Sequence, residues 1–304
     1  MPVVLETKGL RKRYGEVNAL QGLDLQVNKG EIFGFLGPNG AGKTTFTKLV
    51  TGFVRPTAGE VRILGIDAVR DAPKAAHHIG LVPDQYDFYP NLSGRQHLDF
   101  YGRLLGLPAN DRRDRIDEVL ATVKMQERAD SKTKTYSHGM KQRICIAQAI
   151  LHRPELIFFD EPTNGLDPQG AYELRDLIKS LAKDGTTVFL NSHLLNEVEQ
   201  VCERVAVLHK GQLKTVSSVR DLQLKAGNGG GTVSIQLLNP SKKLLTGLGK
   251  SARLDKDTIV LEADPLQTAD AVASIVAAGG RVISVRSDAA SLEAAFLDLV
   301  GAGQ

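Results

Sequence analysis

Apolar and polar positions alternate over residues 23–27, as a half-buried strand requires. Residues 3–8 predict an edge strand, and Leu20, Leu23, Leu25 and Val27 of VNALQGLDLQV predict a strand that pairs with its neighbour. The pattern then becomes a continuous apolar run, Ile32–Leu36, which suits a strand buried on both faces. RPTAGEVRILG (55–65) reads as a turn and a strand, and Ile79–Val82 as a short strand closed by Pro83. Beyond it the period lengthens to that of a helix. Leu92, Leu98, Tyr101 and Leu105 recur along 93–105, where Ser93 and Gln96 form a capping box. Ile116, Val119, Leu120 and Val123 line one face of a second helix over 111–123, and a third, started by Ser137, covers 140–151. A helical insert at about 90–153 therefore interrupts a sheet-forming domain.

Sheet pattern resumes at LIFFD (156–160), followed by a helix over 169–183, a strand over 186–190, a helix over 194–202 and a strand over 205–208. This alternation predicts a mostly parallel α/β sheet. AGNGGG (226–231) reads as a flexible linker. Beyond it, strands at 233–238, 252–261 and 281–285 and helices at 266–278 and 292–300 predict a small α+β accessory domain over 232–304, after a larger domain over 1–225.

At 304 residues the chain has room for both. A net charge of +3 is too mild to argue for nucleic acid, and with no Trp there is no evident platform for stacking bases. Cys145 and Cys202 lack metal-ligand spacing and read as buried thiols in a reducing compartment. The longest weakly polar stretch, 271–280, is too short to cross a membrane, and the first residues lack an apolar signal core. A cytosolic protein is expected, with any membrane spans supplied by a partner.

The strongest chemistry is GPNGAGKTT (37–45), a phosphate-binding loop between a buried strand and a helix-competent stretch. Its glycines let backbone N–H groups curl around phosphate oxygens, Lys43 reaches the outer phosphates, and the Thr44 hydroxyl suits Mg²⁺. A Gly-rich turn without chemistry is the bland alternative, and the strand–loop–helix context disfavours it. LIFFD ends in Asp160, a second Mg²⁺ contact, followed by Glu161, placed to polarise or orient a water at the γ-phosphate. Alone, YSHGM (136–140) reads as an ordinary capped helix start, and His193 as a strand-end histidine.

Together these segments resemble the ATP-binding cassette (ABC) ATPases over about residues 3–220, in the family's order. GPNGAGKT is similar to Walker A, YSHGM to the signature, LIFFDEP to Walker B, NGLDP to the D-loop and NSH to the switch-histidine loop. The resemblance implies an α/β fold: a P-loop cassette with a mostly parallel sheet, an antiparallel β subdomain and a helical insert. It implies ATP and Mg²⁺ as cofactors and two cassettes pairing head to tail. Tyr14 would stack on adenine. Gly37, Pro38, Asn39, Gly40, Ala41, Gly42, Lys43, Thr44 and Thr45 would hold the phosphates. Thr44, Asp160 and Gln85 would hold Mg²⁺. Glu161, His193 and Lys43 would be catalytic, Ser137 and Gly139 would reach the γ-phosphate from the partner, either a second copy or a paralogous cassette, and Met140, Asp167 and Gln85 would be among the nucleotide-binding residues.

Two departures stand out. His138 and Met140 occupy positions where the family has Gly and Gln, a variant similar to that of drug-efflux exporters. In LVPDQYDFYP, Asp84 and Gln85 compete for the Q-loop position, here assigned to Gln85. The resemblance further implies a separate transmembrane permease, docked near 86–106 through Tyr86, Phe88 and Tyr89, and a place on the inner face of the membrane. The accessory domain is similar to the tails of drug and copper-associated efflux ATPases, and is expected to pair with its copy. An ATPase acting on nucleic acid or the ribosome is the alternative. A non-hydrolysing regulator is disfavoured by Glu161 and His193, and a GTPase by the lack of N-K-x-D.

Overall fold

The computed structural model describes residues 2–226, 231–249, 251–263, 265–288 and 292–301, and the chain divides into two units, Met1–Val216 and Ser217–Gln304. In the first, β1 (Val3–Tyr14) and β2 (Val17–Asn28) pair antiparallel. The five residues of β3 (Ile32–Leu36) are all buried, and α1 (Lys43–Val50) follows. The chain continues through β4 (Ala58–Ile63), β5 (Ile66–Asp67) and the short α2 (Ala72–Ala76). These strands form an antiparallel sheet in the order β2-β1-β4-β5. β1 is therefore an inner strand, not the expected edge. β4 returns along its other side, pairing Leu5 with Ile63 and Thr7 with Val61. A central place explains why Val4, Leu5 and Leu10 are fully buried.

After β6 (Ile79–Val82), three helices form the insert: α3 (Gly94–Leu104), α4 (Ala109–Thr122) and α5 (His138–Ala149). The Ser93–Gln96 capping box is formed. α4 buries Ile116, Val119 and Leu120, the expected apolar face. Gly80 of β6 lets α5 approach, since a Cβ there would meet the Ala149 carbonyl at 2.4 Å.

The first unit is completed by β7 (Leu156–Asp160), α6 (Pro168–Lys183), β8 (Thr187–Ser192), α7 (Leu195–Val201), β9 (Arg204–His209) and most of β10 (Gln212–Ser218), which runs two residues past the division at Val216. Its central sheet has the order β10-β9-β3-β8-β7-β6, and the neighbours from β9 to β6 run parallel. β7 and β8 are buried throughout, as strands covered on both faces must be. Phe46 of α1 packs against Phe35 (ring centroids 4.7 Å) and Phe189 (5.5 Å), fixing the helix that follows the phosphate loop onto the sheet. Burying a side chain of this size contributes about 2–3 kcal/mol.

The second unit holds α8 (Val219–Ala226), β11 (Gly231–Leu237), β12 (Arg253–Asp255), β13 (Thr258–Ala263), α9 (Pro265–Ala277), β14 (Val282–Asp288) and α10 (Leu292–Gly301). Its antiparallel sheet, β12-β13-β11-β14, builds a core from Val233, Ile235, Leu237, Ile259, Leu261 and Ile275. The division between units falls nine residues before the expected domain end at 225, because α8 packs against α10. Most of the linker expected at 226–231 lies outside the described residues.

Candidate functional site

β3 delivers the chain to the loop 37–42, and α1 begins at Lys43. Gly42, the N-cap, has φ +110°, and a Cβ there would lie 2.6 Å from the Ala19 carbonyl. Only glycine satisfies both conditions. The loop thus packs tightly on β2 while the free N–H groups of α1 face outward, a geometry that favours an anion.

Three further elements meet this loop: β7 ends in Asp160 and Glu161, β8 ends in Ser192 and His193, and the β9–β10 turn carries Lys210 and Gly211. Together they enclose a cleft of about 710 Å³, a size suited to a small-molecule ligand. Pro38, Asn39, Gly40, Gly42, Lys43, Thr44, Thr45, Glu161 and His193 line it, as do Val17, Asn18, Ala19 and Gln21 of β2 and also Asp84 and Asn164.

The expected catalytic trio is joined. Lys43 Nζ donates to the Gly37 carbonyl (2.7 Å) and lies 3.4 Å from Glu161 Oε1. Glu161 Oε2 accepts from the His193 backbone N–H (3.2 Å) and meets His193 Nδ1 at 2.7 Å. Glu161 adopts φ +49°, a strained conformation for a side-chain-bearing residue. Its N–H donates to the Asn191 carbonyl (2.8 Å) and its carbonyl accepts from the Asn164 N–H (3.2 Å), so both neighbours hold the strained turn.

Asp160 is buried and its carboxylate accepts from Asn191 Nδ2. Burial pushes its carboxyl above the ordinary range. The Asn191 hydrogen bond opposes this, the nearby carboxylates of Glu161 and Asp84 add to it, and Lys43 opposes it. The crowded carboxylates thus leave a local excess of negative charge. Among the described residues no group of three or more His, Cys, Asp or Glu could hold a metal unaided. Mg²⁺ is commonly held by one or two protein oxygens together with phosphates and waters. Asp160 and the cleft-lining Thr44 are suitable donors.

Not every expected residue reaches the cleft. Asp84 lines it, and Gln85, the residue expected at the Q-loop position, does not. The chain leaves β6 at Val82, and the exposed Asp84 accepts a hydrogen bond from Asn164 Nδ2 (3.0 Å). Tyr14 is not among the lining residues either; it is 45% exposed and lies under Lys12 Nζ, 4.9 Å from the ring centroid. Gly37 and Ala41 belong to the loop without lining the cleft. Ser137, Gly139 and Met140 stand apart from it at the start of α5, where Ser137 Oγ accepts from the Met140 N–H (3.3 Å). Asp167 caps α6 by accepting from the Gly170 N–H (2.9 Å).

Sequence reasoning missed Asn18, Gln21, Asn164, Asn191, Lys210 and Gly211. The Lys-Gly pair between VAVLH and QLKTV was a legible hairpin signal; Lys210 (φ +48°) and Gly211 (φ +73°) make that turn. Of the aromatics expected to be exposed, Tyr89 is (54%), whereas Tyr86 and Phe88 are half-buried. Cys145 and Cys202 are buried free thiols, and burial pushes Cys145 up to about 12.

Residues 20–164 match the ABC transporter family. The chain is 36% identical over 302 residues to YdbJ of Bacillus subtilis, an uncharacterized ABC transporter ATP-binding protein, covering 99% of this chain and 96% of that one. It is 36% identical to the daunorubicin resistance ATP-binding protein DrrA3 of Streptomyces coeruleorubidus, with 96% and 94% covered. A dimeric ATP-binding cassette solved in a post-hydrolysis state with ADP and Pi superposes with a TM-score of 0.64 at 28% identity, covering 70% of this chain and 98% of that one.

Proposed function

The chain belongs to the ATP-hydrolysing ATP-binding proteins of ABC transporters, and we propose that it drives a separate permease as the ATPase subunit of an exporter. The observation that carries the chemistry is the Lys43–Glu161–His193 chain at the mouth of the phosphate loop.

ATP enters with its phosphates over the loop and the start of α1. Lys43 turns from Gly37 and Glu161 to the phosphates, which frees the Glu161 carboxylate. Glu161 then orients a water in line with the γ-phosphorus and takes its proton as the bond to the ADP oxygen breaks. His193, bonded to Glu161, turns to the γ-phosphate. Thr44 and Asp160 would hold Mg²⁺, which would neutralise phosphate charge. Ser137 and Gly139 contribute from a second chain: the α5 start presents free N–H groups but lies outside its own cleft. Two chains therefore close head to tail on two ATP.

Among the described residues no helix is long and apolar enough to cross a membrane, so the spans belong to the permease. Its docking surface is the exposed apolar patch of Tyr89 (54%), Phe100 (38%) and Leu104 (68%) on and beside α3. The exporter reading rests on likeness to relatives such as DrrA3. The accessory unit pairs with its copy and keeps two cassettes together between cycles.

Hydrolysis by the wild type and by Glu161→Gln, with size-exclusion chromatography, tests the proposal. Expected are turnover by the wild type, none by the variant, and an ATP-dependent dimer of the variant. A variant that hydrolyses as fast as the wild type would refute the role of Glu161.

A further inference from the structure

Two residues lining the cleft, Asp84 and Asn164, are bonded to each other, and the connection continues to the start of α5. Asn164 Nδ2 donates to Asp84 Oδ1 (3.0 Å), and the Asn164 backbone carbonyl lies 3.0 Å from His138 Nε2. A carbonyl only accepts, so His138 carries a proton on Nε2. His138 is the first residue of α5, beside the Ser137 cap and Gly139. Its ring is also held in place laterally. Tyr86 stacks on it, with centroids 6.0 Å apart and planes inclined by 29°. Gly165, at φ +75°, leaves room for it: a Cβ there would come within 3.3 Å of Nε2. Three segments, 84–86, 138 and 164–165, thus converge on one imidazole.

We propose that His138 is a positioning residue that couples occupancy of the cleft to the N-terminus of α5. The inference rests on the nucleotide-binding reading of the cleft. Asp84 adds its negative charge to that of Asp160 and Glu161. A nucleotide arriving in the cleft changes the electric field at the cleft-lining Asp84 carboxylate and displaces it. Asn164 is bonded to that carboxylate through its side chain and to His138 through its backbone, so displacement of Asp84 reaches α5 through two hydrogen bonds. Ser137 and Gly139 move with His138, although neither touches the cleft. The family-level mechanism requires the α5 start to be presented to a second chain; this link ties that presentation to the state of the chain's own cleft.

The probe is MgADP on the full chain, kept monomeric as verified by size exclusion, with hydrogen exchange followed over 138–142. Binding is expected to change exchange there by about threefold or more in the wild type. In His138→Ala the MgADP Kd stays within about twofold, the exchange response disappears, and kcat falls about tenfold with little change in KM. His138→Gln, whose amide nitrogen can take the place of Nε2, restores both the response and kcat. Asn164→Ala reproduces the loss, and the double variant with His138→Ala loses nothing more. A response that survives in His138→Ala, or is absent from wild type that binds MgADP, overturns the inference. Wild type that does not bind MgADP would instead refute the nucleotide reading of the cleft, and the coupling with it.

Discussion

Gly40 and Gly42 share the phosphate loop and positive φ, but differ in surroundings, and a paired substitution separates two costs. At Gly40 (φ +80°) an added Cβ meets nothing within 4 Å. At Gly42 (φ +110°) it would lie 2.6 Å from the Ala19 carbonyl and 2.8 Å from Leu20 Cδ2. Gly40→Ala therefore carries only the left-handed strain, about 1–2 kcal/mol. Gly42→Ala carries that strain and a clash with backbone that cannot rotate away, adding about 1–3 kcal/mol. The entropy gained by restricting the unfolded chain is common to both and cancels in their difference. With a urea m-value of about 3 kcal/mol/M for a unit of this size, the two variants should differ in midpoint by about 0.3–1 M. The chain has no Trp, so unfolding is best followed by far-UV circular dichroism. Because Ala19 lines the cleft, Gly42→Ala should also weaken MgADP binding more than Gly40→Ala. Equal midpoints would refute the claim that the loop packs on β2 through Gly42.

Asp160 makes nucleotide binding pH-dependent. Its folded-state pKa is raised, so the ionised form is held at a cost, and the folded chain gains relative stability as pH falls through the raised value. Mg²⁺ needs the ionised form, so the Mg²⁺ requirement for ADP binding should rise through the same window. Asn191→Ala, which removes a hydrogen bond that lowers the pKa, should move that window to higher pH in calorimetric titrations. At the Q-loop position, Asp84→Asn should lower kcat several-fold and Gln85→Ala should leave it nearly unchanged in a steady-state assay. Away from the cleft, Arg204 Nη1 lies 2.8 and 3.0 Å from the two oxygens of buried Glu31 and its guanidinium lies over Phe33. Arg204→Met should cost about 2 kcal/mol in urea unfolding, with part recovered by adding Glu31→Gln.

The cassette's fold was largely legible because its buried strands carry their own signal. Ile32–Leu36 and LIFFD are continuous apolar runs that only a doubly covered sheet accommodates, and they appear as β3 and β7. Helices with a capping signal, such as α3 after Ser93, were also plain. What was not legible depends on contacts distant in sequence. β1 reads as an edge until β4 is known to return along it. α8 is a short segment whose place is set by packing against α10. Within the site, Lys43 and Glu161 could be named from their motifs, and His193 only through the resemblance to the ABC ATPases. The wall built by Asn18, Gln21 and Gly211 could not, because it exists only where β2 meets the β9–β10 turn. Gln21 Nε2 donates to the Lys210 carbonyl (2.8 Å), a contact between residues 189 positions apart. The hydrogen bond from Asn164 to Asp84 likewise joins residues eighty positions apart.

The central claim is that the cleft of one chain is completed by the α5 start of another, and mixing two inactive variants tests it most directly. Glu161→Gln disables the cleft, and Ser137→Glu disables the α5 start by placing a negative charge where phosphate should bind. In a head-to-tail pair formed from one of each, one site carries both lesions and the other carries neither. Each variant alone should be inactive. After random mixing, half the pairs are mixed and each has one intact site of two, so about a quarter of wild-type ATPase activity should return. Full activity in Ser137→Glu alone, or no activity on mixing variants that still form mixed pairs, would contradict the account.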